Sequence, residues 1–386
     1  MATSGSIGLG LIGCGGFGQF CLRAFRRMEG VRLAAAADVV KEAADAVARE
    51  FHVPACYSAD QLIARGDVGL VHVATPPSSH YGLVMAVLAA GKHCLCEKPL
   101  AVTVAQAEEM LAAARGGRRI VPVNFVLRYN AATEAVKAII GSGLLGLPLS
   151  ARLTNCASDT KLMATHWFWD KGVSGGIFIE HGVHFFDLYG YWFGRGKVIS
   201  AHAERRDGTG MEDRVTCVVQ HDGGTIASHY HGFDQLNLLD RTDHRLVFEM
   251  GDIRVDGWIP LVLEVDAAVD EKGADGLARL LPGSRMEVRA EYGDDGVAEG
   301  RGKRRTVSRR VKLTYAPQHD KEAAYASGVR DLLADQVACI RDPAHRRRIT
   351  EDNGLASLQM ACAAAELAEA SAKPAPAGTA SKHGRQ

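Results

Sequence analysis

The sequence has no excess charge of either sign: 45 Lys and Arg residues balance 45 Asp and Glu residues. A chain without a net field has nothing to draw it to nucleic acid or to an anionic membrane surface. Its short basic runs, at 301–310 and 346–348, read as a solvated loop and a helix end. None of the nine cysteines forms a CxxC pair or a zinc-ligand spacing. That argues against a disulfide framework or a structural zinc site, so the scattered thiols read as reduced and buried, and a cytoplasmic setting is expected. The chain also lacks an apolar run of membrane-spanning length. Its opening, MATSGSIGLGLIG, has no basic segment followed by a long apolar stretch, so no secretory signal is expected either.

What is present is globular. At 386 residues with 47% hydrophobic and 23% charged side chains, the chain is long enough for two domains of ordinary size. Residues 7–13 form a compact apolar strand that runs into a glycine cluster, and 17–28 follow as an amphipathic helix. Strands at 31–37, 68–75, 93–96 and 120–124 alternate with helices at 41–51, 79–90 and 104–115. Such alternation predicts a doubly wound parallel sheet over residues 1–126. The texture then changes. Strands at 149–156, 198–205, 214–221, 225–233, 245–250 and 252–258 are joined in part by hairpin-type turns such as Asp222-Gly223-Gly224, which predicts an open, mainly antiparallel sheet in a second, α+β domain over 127–371. A helical block at 176–192 interrupts it, residues 283–310 read as a long exposed loop, and helices at 320–341 and 351–370 close the fold. The Pro-, Ala- and Ser-rich stretch 372–386 reads as a disordered tail.

The glycine cluster Gly13-Cys14-Gly15-Gly16-Phe17-Gly18 fits G-x-G-x-x-G, a weak pattern in a chain with 42 glycines. Its position between the first strand and the first helix makes it a dinucleotide turn: Gly13 for the tight bend, Gly15 for close approach of a pyrophosphate, and Gly18 for helix–strand packing. Asp38 ends the second strand, where a carboxylate accepts hydrogen bonds from the adenosine ribose. The same carboxylate repels a 2′-phosphate, and no Arg follows it, so NAD is favoured over NADP, with Lys41 the one nearby cation to soften that preference.

In the helical block, a step of about 100° per residue brings positions 180, 184 and 187 to one side. Glu180, His184 and Asp187 therefore form a polar stripe on an otherwise apolar helix, which is costly unless the stripe lines a cleft. The alternative is a buried His–Asp pair that fixes the helix. Gly175-Gly176 ahead of it leaves room for a ligand or cofactor to pass close to the backbone. Histidines are plentiful here (His166, His181, His184, His229, His231) but carry no metal-binding signature. No metal is expected; a polar ligand site flanked by Trp167, Trp169 and Tyr230 accounts for them equally well.

The segments GLIGCGGFG (10–18), ATPPSSH (74–80), AGKHCLCEKPLA (90–101), SGGIFIEHGVHFFDLYGYWFG (174–194) and ITEDNGLASLQMACAA (349–364) resemble, in order and over nearly the whole chain, the glucose–fructose oxidoreductase / inositol dehydrogenase (Gfo/Idh/MocA) family. The resemblance implies a Rossmann domain followed by an open-sheet domain. It also implies an NAD(P)-dependent dehydrogenase or reductase acting on CH–OH groups of a small sugar, sugar derivative or cyclitol. Carried over by position, Lys98 matches the lysine near the nicotinamide and the reacting hydroxyl, with Glu97 and Pro99 holding its loop. Thr75, Pro76 and His80 match the stretch bordering the nicotinamide, alongside Gly13, Gly15, Gly16, Phe17, Gly18 and Asp38 on the cofactor side. His184 matches the proton-transfer residue, and Glu180 stands where the family usually has Asp. Asn124, Arg128, Trp167 and His181 join Lys98, Glu180 and His184 as expected substrate-binding residues. A homodimer or homotetramer is expected from the same resemblance. Two other readings remain at this point: a non-catalytic NAD-dependent sugar sensor, and an enzyme that keeps its cofactor and oxidises and re-reduces its substrate.

Overall fold

A computed structural model describes residues 5–371; the stretch read as a disordered tail lies outside them. The first domain is a five-stranded sheet of β1 (Ile7–Ile12), β2 (Val31–Ala37), β3 (Ala55–Cys56), β4 (Leu70–Val73) and β5 (His93–Cys96), all parallel, in the order β3-β2-β1-β4-β5. Helices α1 (Gly16–Phe25), α2 (Lys41–Phe51), α3 (Ala59–Ile63), α4 (His80–Ala89) and α5 (Val104–Gly117) connect or follow the strands. Buried strands need no alternation: every residue of β4 is out of water. The strand expected at 120–124 is a single bridge between Cys96 and Val123. Cys94 and Cys96 donate their N–H groups to Ile120 and Pro122, and the Asn124 N–H returns to Cys96, but Pro122 has no N–H to return to Cys94, so the ladder is interrupted and only the one bridge remains.

The second domain begins with α6 (Ala131–Ser142) and β6 (Pro148–Cys156), followed by α7 (Lys171–Ser174) and α8 (Val183–Phe193). Then come β7 (Gly196–Arg205), β8 (Glu212–His221), β9 (Ile226–Gly232), β10 (Arg241–Phe248), β11 (Gly251–Asp256), β12 (Val262–Val269), α9 (Glu271–Leu280), β13 (Arg285–Glu291), β14 (Val297–Gly300), β15 (Lys303–Thr306) and β16 (Arg309–Tyr315). Nine of these strands make one sheet, β13-β16-β12-β11-β10-β6-β9-β8-β7, antiparallel except where β6 and β9 run parallel. The 283–310 segment is therefore not a loop. Its charges belong to the edge strand β13, where charge guards the open edge, and to the β14–β15 hairpin, whose Arg301 and Gly302 both adopt positive φ as a tight hairpin turn demands. β12 and α9, in a stretch with no earlier assignment, supply the interior strand and helix that this edge packs beside.

α8 is the second domain's central helix. Phe185, Phe186, Leu188, Tyr189 and Trp192 are buried, with His229 of β9 and His244 of β10 against their rings. Two long helices, α10 (Lys321–Arg341) and α11 (Glu351–Ser371), reach back to the first domain: α10 packs on α1, and α11 on α5, α8 and β7. All nine cysteines are free, seven of them buried. Among the described residues no helix is long and apolar enough to cross a membrane.

Candidate active site

The glycine turn opens onto a cavity of about 850 Å³ between the two domains. Gly13 has φ +100°, and a Cβ there would stand 2.3 Å from the Ala74 carbonyl oxygen; one at Gly18 would stand 2.3 Å from that of Gly13. Both glycines are thus required by protein neighbours. A Cβ at Gly15 or Gly16 would meet nothing within 4 Å, so the outer face of the turn is open where a pyrophosphate would lie against the start of α1. The Asp38 carboxylate accepts the Cys14 N–H at 2.8 Å and the Val40 N–H at 2.8 Å, which holds the turn against the end of β2. Each oxygen keeps a lone pair for a ribose hydroxyl. Lys41 is drawn away from this spot, bonded to Asp45 at 3.0 Å and lying over Tyr57. These residues fit a dinucleotide.

Gly13, Gly15, Gly16, Phe17, Gly18, Asp38, Thr75, Pro76, Glu97, Lys98, Asn124, Trp167, Glu180, His181 and His184 all line this one cavity. Lys98 and His184, far apart in the chain, share it. The Lys98 ammonium donates to the Glu180 carbonyl at 2.9 Å and makes a short ion pair with the Glu180 carboxylate. Glu97 accepts from the Asn124 amide at 2.8 Å and bonds the buried His72 ring at 2.8 Å. Among the described residues the buried Asn124 Oδ1 has no hydrogen-bond partner.

Burial holds both cavity histidines neutral. The His181 pKa falls to about 3, through desolvation first and the Lys98 charge second; the same causes push His184 well below the usual imidazole value. His181 bonds Asn155 at 2.6 Å, and the Asn155 amide in turn donates to Thr242. The turn carrying Glu180 and His181, Phe178–Gly182, is π-helical and runs straight into α8. Such a turn holds more residues than an α-turn, so consecutive side chains fan out by a smaller angle, and Glu180, His181 and His184 all reach the cavity.

Other expected residues lie elsewhere. Arg128 does not line the cavity; it forms a buried two-point pair with Asp187, at 2.8 and 2.7 Å. That pairing removes Asp187 from the Glu180–His184 stripe as well. The His80 ring is buried beneath the cavity between the Pro99 and Thr75 carbonyls, at 2.7 and 2.8 Å, so it braces the loops carrying Lys98 and Thr75. Burial lowers its pKa while the two carbonyls act against that. Gly175 and Gly176 leave no passage for a ligand: both take positive φ, and their Cβ positions are closed by Ile179, Glu212 and Lys171. His229 and His231 lie in the core beneath α8, Tyr230 points to the opposite face and bonds Asp234, and Trp169 bonds Leu162. Two cavity residues carry no signal in the sequence. Trp258 follows β11 and meets the His184 ring edge-on at 4.7 Å, and Tyr325 of α10 packs on Phe17 and Phe20.

Comparison with known proteins agrees with this architecture. Residues 7–125 match the model of an oxidoreductase family with an NAD-binding Rossmann fold, and residues 133–237 match the GFO/IDH/MocA C-terminal domain. An inositol 2-dehydrogenase of Pseudomonas savastanoi pv. phaseolicola is 35% identical over 179 residues, 45% of this chain and 52% of that protein. A 1,5-anhydro-D-fructose reductase of Ensifer adhaerens is 31% identical over 179 residues, 46% of this chain and 54% of that one. The chain thus spans about half the length of the curated relatives it matches. A levoglucosan dehydrogenase solved with NADH superposes with a TM-score of 0.75 at 20% identity, covering 95% of this chain and 97% of that one, a likeness of fold.

Proposed function

The chain belongs to the GFO/IDH/MocA oxidoreductase family, and from that membership we propose that it moves a hydride between NAD and a secondary hydroxyl or keto carbon of a sugar, sugar derivative or cyclitol. The observation that carries this reading is the single cavity in which the open glycine turn, Lys98, Glu180 and His184 meet. When bound, the nicotinamide supplies the hydride acceptor or donor.

His184 is placed on the cavity wall to take the hydroxyl proton as a general base and to return it in reduction; burial lowers its pKa, which leaves the ring neutral and able to accept but makes it a weaker base than a free imidazole. Lys98, fixed by both oxygens of Glu180 it contacts, stabilises negative charge developing on the substrate oxygen. Glu180 thereby acts as the positioning partner of Lys98. Absorbance of reduced nicotinamide with a panel of sugars and cyclitols tests the reading. Lys98→Met and His184→Phe should each cut turnover by about 10²–10⁴-fold while NADH binding, read by fluorescence, persists. Near-normal turnover in either variant refutes the assignment.

NAD is the proposed cofactor because Asp38 faces the ribose position and Lys41 is engaged by Asp45. The double variant Asp38→Ala, Val39→Arg should move preference toward NADP; equal use of both cofactors by the natural protein would remove the basis for this. The expected assembly is a homodimer or homotetramer built on the outer, water-facing side of the nine-stranded sheet, to be read by light scattering.

A further inference from the structure

The substrate end of the cavity has an unusual balance of charge. Among the described residues lining the cavity, Lys98 is the only cationic side chain, with no arginine beside it. Its ammonium is already held by the carboxylate and carbonyl of Glu180. Glu97 adds a second carboxylate to the same wall. The two histidines bring no positive charge, since burial keeps both neutral. The buried guanidinium of Arg128 is paired with Asp187 and lies outside the cavity.

A phosphate or carboxylate is recognised by cationic donors, most often the fork of an arginine, and in an enclosed site an unpaired anion is strongly disfavoured. No such donor is free here. The walls offer flat aromatic surface instead. The Trp258 ring lies nearly parallel to His181, 21° apart with centroids at 5.9 Å, and edge-on to His184 at 87°. Trp167 stands on the same cavity. Indole faces suit the C–H face of a saturated ring, with polar atoms meeting hydroxyls at its edge.

We propose that the substrate is an uncharged ring polyol, such as a free or anhydro sugar or a cyclitol, packed with its C–H face on Trp258, and that rings bearing a phosphate, a carboxylate or a nucleotide are excluded. This rests on the dehydrogenase reading of the same site but is separable from it by experiment. The NADH-loaded protein is titrated by calorimetry with neutral rings (glucose, 1,5-anhydroglucitol, myo-inositol) and with their anionic counterparts (glucose 6-phosphate, glucuronate, inositol monophosphate). Turnover of the same compounds is followed with NAD.

The expected result is binding and turnover of at least one neutral ring, with its anionic counterparts weaker by at least about 100-fold. Trp167→Arg, which adds a free guanidinium to the wall, should narrow that gap by about tenfold or more. Binding of a neutral ring without hydride transfer would refute the dehydrogenase reading and leave this inference standing. Tighter binding or faster turnover of an anionic ring would overturn the inference while leaving the dehydrogenase reading intact, and so would binding of none of the neutral rings.

Discussion

Gly15 and Gly18 show how one substitution can have two meanings three residues apart. A methyl group at Gly18 would be driven to 2.3 Å from the Gly13 carbonyl oxygen, and backbone must shift to admit it. Gly18→Ala should therefore lower stability by about 1–3 kcal/mol. At Gly15 the backbone has φ −68° and nothing stands within 4 Å of the added carbon. Gly15→Ala should leave the melting temperature unchanged while weakening NADH binding about tenfold or more, because the methyl occupies space a pyrophosphate needs. If the two variants behave alike in melting and in binding, the turn is not a phosphate site. Both glycines were legible in the sequence because their spacing and their place after a strand encode the turn. So were Lys98 and His184, each carried by a short motif. Arg128 could not be placed: its segment tells that it is near the site, but not that Asp187 captures it. Trp258 and Tyr325 were illegible for a different reason, since each comes alone from a distant element, with no spacing that ties it to the rest.

The helical block between β6 and β7 teaches the same lesson for elements. Its apolar positions predict a helix, and α8 with its preceding wide turn is there. A uniform 100° step, however, groups Glu180, His184 and Asp187 on one stripe, whereas the π-helical turn sends the first two to the cavity and the last to Arg128. Periodicity describes an ideal helix and cannot announce an inserted wide turn. The edge of the large sheet failed in the same way: the charges in β13 looked like solvated loop because edge strands carry loop-like composition. The Arg128–Asp187 pair has a measurable consequence. Its side chains are 8% and 1% exposed, so Asp187→Ala leaves a guanidinium buried with no counter-charge. The expected cost is about 3–5 kcal/mol, read as a fall in the urea midpoint. The double variant Arg128→Met, Asp187→Leu should recover most of it. A single variant as stable as the parent would mean that water reaches the guanidinium, contrary to its burial.

For the whole molecule, the buried imidazoles set the response to acid. His184, His229, His231 and His244 are each at most 7% exposed, and burial is the leading cause that lowers the pKa of every one, to about 4 for His244. Both ring nitrogens of His229 and of His231 lack partners among the described residues. In the unfolded chain these rings take up protons near pH 6.5; in the folded chain they stay neutral to lower pH. Protons therefore bind the unfolded state preferentially, and the stability present above pH 6.5 is lost as pH falls through and below it. The raised pKa of Asp187 acts in the opposite sense, but only in the carboxylate range at lower pH. A ring that stays neutral in the fold costs up to about 2 kcal/mol by pH 5, so several together approach what many domains have in total. The melting temperature should thus be steady above pH 7 and collapse between about pH 6 and pH 5. A flat profile across that interval would show that the rings are hydrated or bonded within the fold. Replacing His229 and His231 by Leu removes two of these proton sites and four orphaned nitrogens. The double variant should therefore be at least as stable at pH 7.5 and lose stability with a shallower pH slope than the parent, the remainder coming from the other buried rings, His181 and His184 among them; an unchanged slope would place the acid sensitivity in other groups.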